Sequence, residues 1–255
     1  MSTTGSSSLG TDFVTGRKRV PRPATGRTAL RTTCAPSTPP SLPTRGPPAG
    51  GLSSSERTNA PRRGPPVDAI SKAPLRAATL AARRALSDAQ RREASVRIVE
   101  RLLRLPELRE ASTVLVYAAL REEVDLTTLL GPLHERGART LFPRVRGDRL
   151  DLVAAVDLGT LQLGHRGVRE PAGRAVDPAV VDIAVVPGVA FDPRGGRLGA
   201  GGGHYDRLLA ELAGTTVRIG AAFDCQLVPH IPRQAHDQPV DLVVTERSVH
   251  RVARP

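Results

Sequence analysis

VVDIAVVPGVAFDPRGGRLGAGGGHYDRLL, residues 180 to 209, holds a buried strand, a glycine turn and a helix in one run. The opening VVDIAVVPG (180–188) is almost continuously apolar, as expected of a strand covered on both faces in a parallel sheet; a strand with one wet face would alternate. HYDRLLAEL (204–212) reads as a helix. The glycines at 199, 201, 202 and 203 each raise the chain entropy lost on folding. Their use makes sense if consecutive backbone N–H groups must approach an anion, aided by the positive end of the following helix. Arg197, at the front of the turn, adds a bidentate phosphate contact. The turn lacks the Gly-Lys-Ser/Thr of a P-loop and the spacing of a dinucleotide fingerprint. On glycine content alone, a flexible surface turn is an equal alternative.

Working outward, the same alternation recurs. Residues 75–85 read as a helix with Pro74 in its first turn, where a missing N–H is tolerated. A second helix starts at Ser87, which forms a capping box with Gln90, and carries an apolar stripe at Val96, Val99, Leu102 and Leu103 until Pro106. TVLVYAAL (113–120) reads as a buried strand, 126–137 as a helix interrupted at Gly131 and Pro132, and 138–143 and 149–156 as strands. Residues 157–180 read as a long loop, and strands follow at 216–223 and 240–246. The expectation is an α/β fold: a mostly parallel, doubly wound sheet with helices on both faces, forming a single domain over 71–255. In such sheets ligands bind at the carboxyl ends of the strands.

Composition bounds the rest. The chain has 255 residues, 39% of them apolar, enough for a sizeable core. Residues 1–70 hold 11 of the 23 prolines and ten basic residues against three acidic ones, so +7 of the formal +12 charge lies there, without apolar periodicity. This stretch is expected to be a disordered tail. It is read as an extension upstream of a start near Val67, with an Arg- and Ser-rich, acid-poor transit peptide as the rival. The remainder carries 27 basic and 22 acidic residues, and two Tyr and four Phe serve the entire chain, so no dedicated nucleic-acid surface is expected. Neither a secretory leader nor a membrane-spanning run is apparent. Two cysteines, Cys34 and Cys225, provide no disulfide framework, in keeping with a cytoplasmic protein. Cys225 is expected to be a buried small hydrophobe. His230 and His236 lack a third soft ligand nearby, so zinc is not expected.

Taken whole, VPGVAFDPRGGRLGAGGGHYDRLL resembles the signature of the 5-formyltetrahydrofolate cyclo-ligase family, which shows PG-x-AFD and then RLG-x-G-x-G-x-YD. SKAPLR (71–76) resembles the family's Lys-x-x-x-Arg helix start, REEVD (121–125) its strand-end Glu-Val/Ile-Asp segment, and REP (169–171) its Glu-Pro. AFDCQLVPHIPRQAHDQPVDLVVTE is similar to its carboxyl-terminal segment, so the resemblance runs in order over about 71–247. It implies a monomeric ligase, acting on small molecules, that uses ATP and Mg²⁺ to convert 5-formyltetrahydrofolate to 5,10-methenyltetrahydrofolate with release of ADP and phosphate. A non-catalytic nucleotide- or phosphometabolite-binding relative on the same fold is the alternative.

Carried over by position, the resemblance makes Lys72 and Arg76 ATP-phosphate ligands, placed on one helical face by their i, i+4 spacing. Arg197, Leu198, Gly199, Ala200, Gly201, Gly202, Gly203, His204 and Tyr205 form the nucleotide loop. Arg197 and Lys72 take the catalytic role of neutralising the transferred phosphoryl group. Ala200 to His204 also face the folate, as do Ala118 and Glu123, so the glycines would form a wall between two substrates. Asp206 and Asp237 would hold Mg²⁺, whose hard oxygen preference they suit. Read without the resemblance, Asp206 is equally a first-turn acid favoured by the helix dipole and Asp237 a turn acid beside Pro239. His204 stands where the family has tyrosine, Ala200 where a larger side chain is frequent, and Arg166 where an aromatic is common.

Overall fold

The computed structural model describes residues 71–164 and 167–252. The tail expected over 1–70, Cys34 and Arg166 lie outside these residues. Helix α1 (Lys72–Ala85) starts one residue after Ser71, whose hydroxyl accepts from the Ala73 N–H. Helix α2 (Asp88–Leu103) has the expected reciprocal capping box of Ser87 and Gln90. Pro106 does not simply end α2; it is the first residue of a short helix, α3 (Pro106–Glu110). Strand β1 (Thr113–Leu115) precedes α4 (Thr127–Glu135), followed by β2 (Arg139–Arg146) and β3 (Arg149–Ala154). Helix α4 runs through Pro132 instead of breaking there. Losing a helical position to proline costs about 3 kcal/mol, while burying Leu129, Leu130 and Leu133 returns about 1.5–3 kcal/mol each.

The expected loop 157–180 is more ordered than its sequence suggests. It contains β4 (Gln162–Leu163) and β5 (Arg169–Glu170), which pair antiparallel, and β6 (Ala175–Val176), which joins the sheet beside β3. The chain continues through β7 (Ile183–Val186), the β8 (Ala190–Phe191) and β9 (Arg197–Leu198) hairpin, helix α5 (His204–Glu211), β10 (Val217–Ala221), β11 (Leu242–Val244) and β12 (Val249–Arg251).

The main sheet has eight strands in the order β12-β11-β10-β7-β1-β2-β3-β6. Its centre, β11-β10-β7-β1-β2, is parallel, and β12, β3 and β6 are antiparallel additions at the edges. Side-chain alternation assigns the faces. Ile183 and Val185 pack with Ile98, Leu102, Leu129 and Leu133 from α2 and α4. Ala184 and Val186 pack with Leu208 and Leu209 from α5. Helices therefore cover both faces, as the unbroken apolar run of β7 requires. Among the described residues no helix is long and apolar enough to cross a membrane.

The parallel strands reverse their order between β1 and β7: the chain first adds β2 on one side of β1, then β7, β10 and β11 on the other. At such a reversal the connections leave in opposite directions and open a crevice beyond the carboxyl ends of the two strands. The segments emerging there are 116–123 after β1 and 187–206 after β7. TVLVYAAL supplies only three residues of strand, and the remainder stays apolar because it is buried beside the crevice.

Candidate active site

A cavity of about 260 Å³ occupies that crevice, with Tyr117, Ala118 and Glu123 on the β1 side and Arg197, the glycine turn and Tyr205 on the β7 side. Strands β8 and β9 carry the turn forward, and two buried residues brace it. Asp192, fully buried, accepts N–H groups from Arg194, Gly196 and Ile231 at 2.8–2.9 Å. Gln226 donates to the carbonyls of Gly188 and Val189 and accepts from the Phe223 N–H. Gly203 is the N-cap of α5 with φ 68°, a left-handed conformation that side chains disfavour, and no side chain caps the helix. The first-turn N–H groups at 204–206 are thus left toward the cavity wall, with the helix dipole behind them.

Arg197 is buried, and its Nη2 donates to Asp206 Oδ1 at 2.8 Å. The Gln238 N–H reaches the same oxygen at 3.2 Å. The guanidinium lies 5.7 Å over the Tyr205 ring, and its buried Nε has no hydrogen-bond partner among the described residues. A buried donor without an acceptor is costly, so this atom marks where an anionic oxygen fits. On α1, Arg76 Nε donates to the Gly199 carbonyl at 3.0 Å. Lys72 pairs with Asp237 and also approaches Gln234 Oε1 at 3.4 Å. Helix α1 is held there by Leu75, which packs on Ala190, Leu198 and Ile231.

The structure thus brings Lys72, Arg76, Arg197, the turn, Asp206 and Asp237 together around one loop, and sets Ala118 and Glu123 across the cavity. Gly199, Ala200, Gly202, Gly203, His204, Tyr205 and Asp206 line that cavity. Lys72, Arg76, Leu198, Gly201 and Asp237 do not: Leu198 is buried in the apolar cluster that seats α1, and Gly201, at φ 110°, shapes the turn. Cys225 corrects an expectation. It is exposed, because the short turn 224–226 points Gln226 inward and Cys225 out.

Glu122 and Glu123 separate cleanly. Glu122 faces Arg83 at 3.6 Å and Arg84 at 3.4 Å on α1. Glu123 turns into the cavity, its Oε2 accepting the Leu120 N–H at 3.0 Å. Burial pushes the Glu123 carboxyl above the ordinary glutamate range, against the Leu120 N–H and the Arg83 charge. Burial, reinforced by Glu123, raises the Tyr117 and Tyr205 phenols as well, so both stay protonated at neutral pH. Tyr117 donates to the Val124 carbonyl at 3.0 Å and holds this turn closed. Sequence reasoning did not single out Tyr117 or Asp192; an Asp directly before PRGG is a turn-capping signal.

Because the folded Glu123 carboxyl binds its proton more tightly than in the unfolded chain, its effect on stability falls as pH rises from the unfolded value through the raised folded one. Glu123→Gln is therefore expected to raise the melting temperature of the ligand-free protein at pH 8, with the gain shrinking toward pH 4. Equal melting temperatures of variant and wild type across that range would contradict the burial of this charge.

The donor set fits a small hard cation. Hydrogen bonds fall on Oδ1 of Asp206 and Oδ2 of Asp237, which leaves one oxygen of each carboxylate without a hydrogen bond among the described residues, with His236 Nε2 3.7 Å from that of Asp237, and the Gln238 N–H links the two segments. Among the described residues no group of three or more acidic, His or Cys side chains gathers.

Comparison with known proteins was made against this geometry. A sequence model described as the 5-formyltetrahydrofolate cyclo-ligase family matches residues 68–246. The chain is similar to the 5-formyltetrahydrofolate cyclo-ligase of Escherichia coli strain K12, 33% identical over 174 residues that cover 66% of this chain and 96% of that protein. It is also similar to the Mus musculus 5-formyltetrahydrofolate cyclo-ligase, 27% identical over 184 residues, 65% of this chain and 88% of that protein. Among solved structures, the 5,10-methenyltetrahydrofolate synthetase of Aquifex aeolicus matches with a TM-score of 0.65 and 37% identity, covering 72% of this chain and 94% of the other.

Proposed function

This chain belongs to the 5-formyltetrahydrofolate cyclo-ligase family of ligases, and on that footing we propose that it converts 5-formyltetrahydrofolate to 5,10-methenyltetrahydrofolate with consumption of ATP and release of ADP and phosphate. The observation that carries the reading is a single cavity whose walls are the anion-directed glycine turn with Arg197 on one side and Ala118 with Glu123 on the other. Such a site accepts a phosphate-bearing and a heterocyclic ligand edge to edge.

The chemistry asks little nucleophilicity of the protein. The formyl oxygen is a poor leaving group. When bound, ATP supplies the phosphoryl group that turns this oxygen into a phosphate ester, with ADP leaving. The N10 lone pair then forms the new C–N bond, the N10 proton departs, and the C–O bond breaks to release phosphate carrying the former formyl oxygen. The protein aligns the reacting atoms and neutralises charge. The unpartnered Nε of Arg197 is the donor left for the phosphate side, its Nη atoms being held by Asp206 and the Pro187 carbonyl, and the first-turn N–H groups of α5 add fixed positive dipole. Arg76 fixes the loop through the Gly199 carbonyl, and Lys72 brings a positive charge beside Asp237. Asp206 and Asp237 would hold Mg²⁺, which supplies charge neutralisation on the phosphate oxygens when bound. Glu123, as a carboxylate, accepts N–H donors of the pterin ring. Its replacement by Gln is expected to weaken folate binding by about 10- to 100-fold, the worth of hydrogen bonds to a charged group.

Action as a monomer in the cytoplasm completes this reading, supported by a self-contained cavity and by the absence of a cysteine framework in the sequence. The test measures ADP release and methenyl-product absorbance together. Both signals, each dependent on the two substrates, support the reading; nucleotide binding with neither signal would replace it with a non-catalytic binding protein.

A further inference from the structure

Arg207, near the start of α5, takes no part in the reaction described above and does not line the site cavity. Its guanidinium joins two distant pieces of backbone. Nε donates to the Asp148 carbonyl at 2.7 Å, at the tip of the β2–β3 hairpin, and Nη2 donates to the Gly202 carbonyl at 2.8 Å, in the glycine turn. The Asp148 carboxylate stands 3.7 Å from the same Nε. The hairpin is tied to α5 a second time by Arg149, 3.4 Å from Glu211. Gly203 makes room for the clamp: a Cβ there would stand 2.9 Å from Arg207 Nη1, and the φ of 68° disfavours one in any case.

Holding a carbonyl decides where the next N–H points, because in a planar trans peptide the C=O and the following N–H face opposite ways. Arg207 draws the Gly202 carbonyl to itself, so the Gly203 N–H turns away from Arg207. Arg76 draws the Gly199 carbonyl toward α1 at 3.0 Å, so the Ala200 N–H turns away from α1. Ala200 and Gly203 line the cavity, whereas Arg76 and Arg207 do not. Among the described residues the N–H groups of 200–203 donate no hydrogen bond. An arginine at each end of the turn thus holds a carbonyl back and leaves the amides for an anion.

Resting on the ATP reading, we propose that Arg207 is a positioning residue for the nucleotide phosphates: it acts through the Gly202 carbonyl to keep the amide N–H groups of the turn directed at the phosphate oxygens, and makes no contact with the ligand itself. The turn needs such a brace. Gly201 and Gly203 have φ of 110° and 68°, and glycine leaves many other conformations within reach. Fixing one of them in the free protein removes an ordering cost from nucleotide binding.

Calorimetric binding of ATP and, separately, of 5-formyltetrahydrofolate, each with Mg²⁺ present, tests this on wild type, Arg207→Ala, Arg207→Lys and the control Arg149→Ala, which removes an equal charge from the same hairpin–helix junction. Misaligned amides lose part of a hydrogen bond to a charged oxygen, so Arg207→Ala is expected to bind ATP about tenfold more weakly while its folate affinity stays within about twofold. Lysine keeps the charge and the stem but sets one nitrogen where two stand. Arg207→Lys is therefore expected to lose at least about fivefold for ATP as well, and it carries the comparison alone if the alanine variant does not fold. Arg149→Ala is expected to bind ATP as wild type does. Wild-type ATP affinity in either Arg207 variant, or equal losses for the two ligands, overturns the clamp and leaves the ATP reading standing. Wild type that binds no ATP overturns that reading, and the clamp with it.

Discussion

Arg197→Ala is expected to lower kcat by about 10²- to 10³-fold, the range seen when one preorganised donor to a developing charge is removed. The reason lies in its environment. The side chain is only 2% exposed, yet a single carboxylate, Asp206, balances it, and its Nε has no acceptor. This guanidinium lines the crevice cavity, where a ligand can take an unspent donor. Arg197→Lys separates charge from geometry. It restores a positive group beside Asp206 but not the fork, so it is expected to recover stability while remaining at least about tenfold slow. Stopped turnover should be compared with thermal melts of the same samples. A lysine variant with wild-type kcat would show that charge alone suffices and would remove the fork from the mechanism.

Asp192→Ala is expected to cost about 3 kcal/mol or more of stability. Three N–H groups, those of Gly196 and Ile231 buried and that of Arg194 partly so, converge on this carboxylate, and each buried donor left unsatisfied costs about 1–3 kcal/mol. Arg233, 3.8 Å away, would lose its counter-charge, and His230 stands 3.9 Å from the same carboxylate. Asp192→Asn retains one acceptor oxygen but turns an amide N–H₂ toward donors, so it is expected to fall between. Urea midpoints at constant m-value measure this. A loss below about 1 kcal/mol would mean that water or backbone relaxation replaces the carboxylate. The functional consequence follows from position: residues 192–196 join β8 to β9 and set the direction in which Arg197 and the glycine turn leave the sheet.

The sequence made the sheet readable wherever a strand was enclosed on both faces. Val185 and Val186 face opposite helices, so β7 shows no alternation and its depth in the sheet is plain. The same signal overextended β1: Val116 still donates to the Leu141 carbonyl of β2 at 2.9 Å, but Tyr117 and Ala118 are apolar because they are buried beside the crevice. Short edge pieces such as β4, β5 and β6 are held by pairing and not by burial, so a hydrophobic pattern does not mark them. In the site, the glycine turn, Arg197 and the helix after it were legible as an anion cradle because the argument is local. The contact of Arg76 with the Gly199 carbonyl was not, since it joins segments 123 residues apart. Glu122 and Glu123 are adjacent and chemically alike, and only the position of Arg83 on α1 determines which of them turns inward. Arg83 itself is buried with an unpartnered Nε, for which the structure offers no ligand.

The most direct test follows the formyl oxygen. 5-Formyltetrahydrofolate labelled with ¹⁸O in its formyl group is turned over with unlabelled ATP, and the released phosphate is analysed by mass spectrometry. Phosphorylation of that oxygen in the shared cavity predicts one ¹⁸O in each phosphate formed. Label appearing in water or formate, with unlabelled phosphate, would contradict transfer between two substrates across the glycine turn.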